Sequence, residues 1–136
     1  MHNAKLFQNY ELFFTCMANH NEIGKKGEEI AKKYLLDKGY KVLACNYRFK
    51  HLEIDIICEK DCHLIIVEVK TRQSSYLAGP EDTVSKTKQK GIIKCANAYI
   101  IEHEIDMETR FDIIAIILNT NEKSIVHIED AFYPLR

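Results

Sequence analysis

The segment Leu64-Ile65-Ile66-Val67-Glu68-Val69-Lys70 constrains this chain most, because a continuous apolar run is interrupted by only one carboxylate and one ammonium, two positions apart. A strand points residues i and i+2 to the same face, so Glu68 and Lys70 project together. A buried charge costs several kcal/mol unless it is paired or holds a metal. A bound species is therefore expected at this strand.

With 136 residues, 46% of them hydrophobic, the chain suits one compact domain that buries about two thirds of its unfolded surface. It has two prolines and five glycines, with no Gly/Ser/Pro-rich linker, low-complexity tract or repeat. Residues 21–136 read as a single domain. Residues 1–20 read as an N-terminal extension, with Met17 as an alternative start before a polar lead into the first helix. The apolar runs fall far short of the roughly 18–20 residues that span a bilayer, so no membrane segment is expected.

Five cysteines without a CxxC pair give no disulfide framework and point to a reducing, cytoplasmic setting. Cys58, Cys62 and His63 straddle a hairpin turn and lack a second ligand pair, which argues against zinc. A net charge of −1 argues, taken alone, against a nucleic-acid binder. The distribution points the other way, since residues 25–94 carry 15 Lys and Arg against 10 Asp and Glu. A pair of solvated lysine-rich helices would give the same excess.

Asn21 can cap a helix running to about Lys38, with Ile23, Gly27, Ile30, Ala31, Tyr34 and Leu35 in one apolar stripe and Gly39 as the stop. On that helix Glu28 lies at the sheet-facing border, whereas Glu29 faces away. Strands are expected over 40–49, 52–59 and 63–71, forming an antiparallel meander. A loop containing Gly79-Pro80 leads to a second helix from Val84 or Ser85 to Glu102, with Ile92, Ile93, Ala96, Tyr99, Ile100 and Gln89 directed inward. Residues 111–118 form a fourth strand reached through a parallel crossover, and 124–129 a short fifth. The order is αβββαβ followed by β.

On the second strand, alternation places Glu53, Asp55 and Ile57 on one face and Ile54, Ile56 and Cys58 on the other, so Asp55 can sit beside Glu68 across the hairpin. Helix one can bring Glu28 over them. Converging carboxylates repel unless a divalent cation neutralises them, and oxygen-only ligation favours Mg²⁺ or Mn²⁺. Lys70 would complete a hydrolytic centre. The plain alternative is a structural Glu68–Lys70 pair at a solvated strand end.

Several separated motifs occur together: Gly24-Lys25-Lys26-Gly27-Glu28 with Ala31, Asn46-Tyr47-Arg48, Glu53-Ile54-Asp55, Val67-Glu68-Val69-Lys70-Thr71-Arg72, Val84 with Lys88-Gln89, and Arg110-Phe111-Asp112. In these the chain resembles the YraN-like family of uncharacterised predicted endonucleases, within the PD-(D/E)xK restriction-endonuclease-like superfamily. The likeness runs from about Asn21 to Leu118, with Leu52 where the family usually has glycine. It implies an α/β restriction-endonuclease-like αβββαβ core, with a mixed central sheet flanked by two helices. It also implies a distant relationship to archaeal Holliday-junction resolvases.

Carried onto this sequence, the resemblance implies Asp55 and Glu68 as principal metal ligands, the Val69 carbonyl as a further oxygen, and Glu28 as an added ligand or anchor. Lys70 would orient the attacking water in phosphodiester hydrolysis. Arg48, Arg72, Lys86 and Lys88 flank this centre and suit phosphate contacts, and Gln89 suits a scissile-region phosphate. Lys90 and Lys94 read as a solvated helix face, and Tyr47 as a packed ring. The expected partner is nucleic acid, foremost DNA in branched or single-strand-containing form, since no sequence-reading module is visible. A homodimer follows by resolvase analogy alone. The alternatives are a nucleic-acid-binding or assembly factor that keeps the fold without turnover, and an interaction protein using Ala131-Phe132-Tyr133-Pro134 as a contact.

Overall fold

The computed structural model of the chain describes residues 20–73 and 84–134. Its elements are helix α1 (His20–Asp37), strands β1 (Lys41–Phe49), β2 (Leu52–Lys60) and β3 (His63–Arg72), helix α2 (Lys86–Glu102), and strands β4 (Glu108–Leu118) and β5 (Lys123–Phe132). The expected loop at Gly79-Pro80 and, apart from His20, the expected N-terminal extension lie outside the described residues. Helix α1 runs through Asn21, so Asn21 is part of the helix rather than its cap.

One five-stranded sheet has the order β1-β2-β3-β4-β5. The β1–β2 and β2–β3 pairs are antiparallel, β3 and β4 are parallel, and β4–β5 is antiparallel. This is the mixed sheet of a restriction-endonuclease-like core with an added C-terminal strand. Neighbouring parallel strands need a long crossover connection, and α2 lies in it.

The helices cover opposite faces. Ala31 and Leu35 of α1 join Ile56, Cys58, Ile65, Val67, Ile114 and Ile116 in one core layer. In the other, Ile92, Cys95, Ala96 and Tyr99 of α2 join Ile54, Leu64, Ile66, Phe111 and Ile113. Strand β3 is thus buried on both sides, which is why Leu64 to Val67 reads as an unbroken apolar run. Each fully buried Ile or Leu stabilises by roughly 1.5–3 kcal/mol.

Local chemistry sets the helix ends. Gly39, at φ 87°, closes α1 in a Schellman motif: Tyr40 N–H donates to the Leu35 carbonyl and Gly39 N–H to that of Leu36. Ser85 caps α2, its Oγ accepting from Lys88 N–H at 3.1 Å, and so fixes where Lys88 begins its reach. The last two strands are longer than alternation implied, because charged and polar stretches pair as readily as apolar ones once a neighbouring strand supplies the hydrogen bonds.

Alternation along β2 fails at Asp55. Ile54 and Ile57 face the α2 layer, whereas Ile56 and Cys58 face the α1 layer. The expected division into Glu53, Asp55, Ile57 against Ile54, Ile56, Cys58 is therefore corrected at Ile54 and Ile57, while Ile56 still shares a layer with Cys58 and Glu53 still meets Asp55. Residue-to-residue pairing between β2 and β3 extends from Lys60 and His63 to Ile56 and Val67. Beyond that point the Asp55 carboxylate takes the place of a backbone acceptor: Val69 N–H donates to its Oδ2 at 2.8 Å.

Candidate active site

Asp55 sits where β2 and β3 part, and acidic side chains reach it from both faces of the sheet. From the α1 side, Glu28, Glu53 and Asp55 each offer a carboxylate oxygen, all within 4.8 Å of one another. Glycine makes this approach possible. A Cβ on Gly27 would lie 1.7 Å from Thr71 Oγ1 and 2.9 Å from Thr71 Cβ, so only glycine lets α1 press against the end of β3 and carry Glu28 to the cluster.

Asn46 holds two of the acids. Its amide Nδ2 donates to Glu28 Oε2 and to Glu53 Oε1, each at 3.0 Å. Its φ of 52° is a left-handed conformation that asparagine tolerates better than most residues. Arg48 Nη2 lies 3.2 Å from the other Glu53 oxygen. The cleft at this cluster has a volume of about 270 Å³, and Lys25, Lys32 and Cys45 also line it.

From the α2 side comes Glu68, only 3% exposed. Its Oε1 lies 3.7 Å from Lys70 Nζ and 3.3 Å from Lys88 Nζ. Two ammonium groups thus face one buried carboxylate. Asp55 stands between the two groups of acids and shows the strain of that position: burial first, then the neighbouring Glu68 carboxylate, pushes its carboxyl up to about 7 against the opposing pull of Val69 N–H and Lys88. Burial also raises Glu28, and Asp55 and Glu53 add to the rise while the Asn46 amide opposes it.

The residues singled out in the sequence fall into three placements. Glu28 and Asp55 converge with Glu53. Glu68, Lys70 and Lys88 form the ion-paired group beside Asp55. Arg48 engages Glu53, Gln89 Nε2 donates to the Val84 carbonyl at 3.1 Å, Arg72 ends β3, and Lys86 lies exposed at the start of α2. Glu53 and Asn46 were the residues missed as site members. The signal for Glu53 lay in its two-residue spacing from Asp55, and nothing in sequence marked Asn46 as a bridge.

A second polar group lies in β4 and β5. Asp112, wholly buried, accepts from Arg110 Nε at 2.9 Å and Nη2 at 2.8 Å, from His127 Nε2 at 2.7 Å, and from Asp130 N–H at 3.0 Å. Tyr47 packs edge-on against Tyr99, with centroids 5.1 Å apart, and its hydroxyl donates to Glu102 at 2.7 Å.

Fold and site together define an α/β protein with a restriction-endonuclease-like core and an acidic cluster at the split of its central hairpin. The model of the uncharacterised protein family UPF0102 matches residues 27–116. The chain is 46% identical to a UPF0102 protein of Flavobacterium psychrophilum and 48% identical to one of Christiangramia forsetii, each match covering 86% of this chain and 98% of the relative. A UPF0102 protein of Bacteroides thetaiotaomicron is 45% identical over 87% of this chain and 98% of its own length. The chain belongs to the UPF0102 family, the YraN-like family its motifs resembled. Among the described residues no helix is long and apolar enough to cross a membrane.

Proposed function

We propose that this protein is a divalent-metal-dependent nuclease that hydrolyses phosphodiester bonds in DNA, on branched or single-strand-containing substrates, in the cytoplasm. The observation that carries the reading is the convergence of carboxylates at Asp55. Glu28, Glu53 and Asp55 bring oxygens within 4.8 Å of one another, and half-buried Asp55 has its carboxyl raised by burial and by Glu68. Such a donor set, all oxygen and acidic, fits Mg²⁺ or Mn²⁺ rather than a thiophilic metal.

Asp55 would hold the ion with Glu68, Glu28 and Glu53. When bound, it supplies Lewis-acid polarisation of the phosphate and a more acidic water. The protein's own groups do the rest. Lys70, next to Glu68, orients the attacking water and offsets negative charge on the phosphoryl oxygens. Lys88 is tied to Glu68 and shifts toward a substrate phosphate when that carboxylate is engaged elsewhere. Lys25 and Lys32 on the cleft rim neutralise flanking phosphates.

The test incubates the purified protein with linear, single-stranded, flapped and four-way-junction DNA in Mg²⁺, Mn²⁺ or chelator, alongside Glu68→Ala and Lys70→Ala. Metal-dependent cleavage lost in both variants, with DNA affinity retained by Lys70→Ala, is the expected result. DNA binding without cleavage by the wild-type protein under every metal condition would leave the non-catalytic binding or assembly role in its place.

A further inference from the structure

Helix α2 carries charge where helices normally avoid it. Its first turn holds no acid but carries Lys86 and Lys88, at the end where the helix dipole disfavours cations, and Lys90 and Lys94 follow along the helix. Lys88 is matched by Glu68. Lys86, Lys90 and Lys94 form no ion pair with any described residue. Among the described residues the rule is broken without compensation, and such a row of cations suits an external anion.

These three lysines line a groove of about 460 Å³, together with Ile93, Asn97 and the chain just beyond β5, where Tyr133 stands. At i, i+4 and i+8 they form one stripe that rises about 6 Å per step, a spacing suited to successive phosphates of an extended strand. Tyr133 is 65% exposed. Its backbone position is set by the preceding Phe132, which is buried and stacked on Phe111 with centroids 5.2 Å apart. The groove therefore pairs a row of cations with an exposed aromatic ring.

We propose that this groove is a binding track for single-stranded nucleic acid, with phosphates on Lys86, Lys90 and Lys94 and one base stacked on Tyr133. A base inside a duplex is already stacked and cannot reach the ring. An acidic polypeptide would satisfy the lysines but has no use for the ring. Binding here needs no metal and uses none of the residues that line the Asp55 cleft. Its consequence for substrate choice, that the nuclease engages a single-stranded tail, rests on the reading given under Proposed function.

Fluorescence anisotropy of the full chain in chelator, with labelled oligo(dT), oligo(U), duplex DNA and polyglutamate, tests the track. Oligo(dT), oligo(U) or both should bind at least tenfold more tightly than duplex or polyglutamate, and the relative affinity identifies DNA or RNA as the ligand. Lys90→Glu combined with Lys94→Glu should weaken oligonucleotide binding at least tenfold. Tyr133→Ala should weaken it roughly five- to hundredfold, with Tyr133→Phe close to wild type. Lys90→Ala with Lys94→Ala should lower the salt slope of log affinity by about 1.4. These side chains are exposed, so an unchanged melting temperature separates lost binding from lost fold.

Wild-type protein that fails to bind either oligonucleotide, or variants that bind it as wild type does, would overturn the track. Polyglutamate bound as tightly as oligonucleotide, with no effect of Tyr133→Ala, would assign the groove to an acidic protein instead. Groove binding without any cleavage in Mg²⁺ or Mn²⁺ refutes only the nuclease reading. Cleavage with no groove dependence of binding refutes only the track.

Discussion

Two aspartates of the same sheet, the half-buried Asp55 and the fully buried Asp112, have opposite electrostatic fates. Burial alone would raise both. At Asp112, hydrogen bonds from His127, Arg110 and Asp130 N–H outweigh burial and hold the carboxyl below its ordinary range. At Asp55, one backbone N–H and the more distant Lys88 do not outweigh burial and Glu68, and the carboxyl rises to about 7. The first site is complete within the chain. The second is short of positive charge, which is the condition a cation-binding centre presents before it binds its ion.

The contrast breaks most visibly at Asp112. Replacing it with alanine leaves the Arg110 guanidinium and the buried His127 ring without their acceptor, and should cost about 3–5 kcal/mol in denaturant unfolding at neutral pH. Because its folded carboxyl lies below the unfolded one, its stabilisation is present above about pH 4 and is lost as pH falls further. A cost below 1 kcal/mol at neutral pH would show that the network is dispensable and the contrast unfounded.

Asp55→Asn should act with the opposite sign. The folded carboxyl titrates near 7 and the unfolded one near 3.8, so ionising Asp55 works against folding. That cost is absent below about pH 4, grows as pH rises, and is complete above about pH 7. In chelator at pH 8 the variant should therefore exceed wild type by on the order of 1–3 kcal/mol, with the two converging at pH 4. Added Mn²⁺ should raise the melting temperature of wild type and leave that of the variant nearly unchanged. A variant less stable than wild type at pH 8 would place Asp55 with the structural aspartates.

Asn46→Gly gives the smallest and most local effect. Glycine keeps the left-handed backbone at φ 52° and removes only the amide shared by Glu28 and Glu53. Stability should change by about 1 kcal/mol or less. The Glu28 carboxyl, which the amide pulls downward, should titrate at higher pH in an NMR titration. No movement would mean that Asn46 does not hold the acids.

Element order was legible because it depends on local periodicity. The apolar stripe around Ala31 and Leu35, the alternating and continuous strands, and Gly39 as a stop all act within a few residues. The tie from Asp55 to Glu68 followed from hairpin register, which the structure carries as far as Ile56 and Val67 before Asp55 takes Val69 N–H. Alternation set Glu53 on the face of Asp55 but carried no sign that β2 changes face there, which turns Ile57 to the opposite layer. The closure of Asp112 by His127, fifteen residues away on another strand, depends on the β4–β5 pairing and its irregularity between Phe111 and Ile113.

By itself, then, the sequence determined the αβββαβ order, the buried central strand, and the acids and lysine available for chemistry, since side-chain period and turn chemistry are short-range properties. Only the tertiary structure decided which charges are satisfied. Whether a carboxylate within the fold meets donors, as Asp112 does, or other carboxylates, as Asp55 does, depends on where distant strands and helices cross.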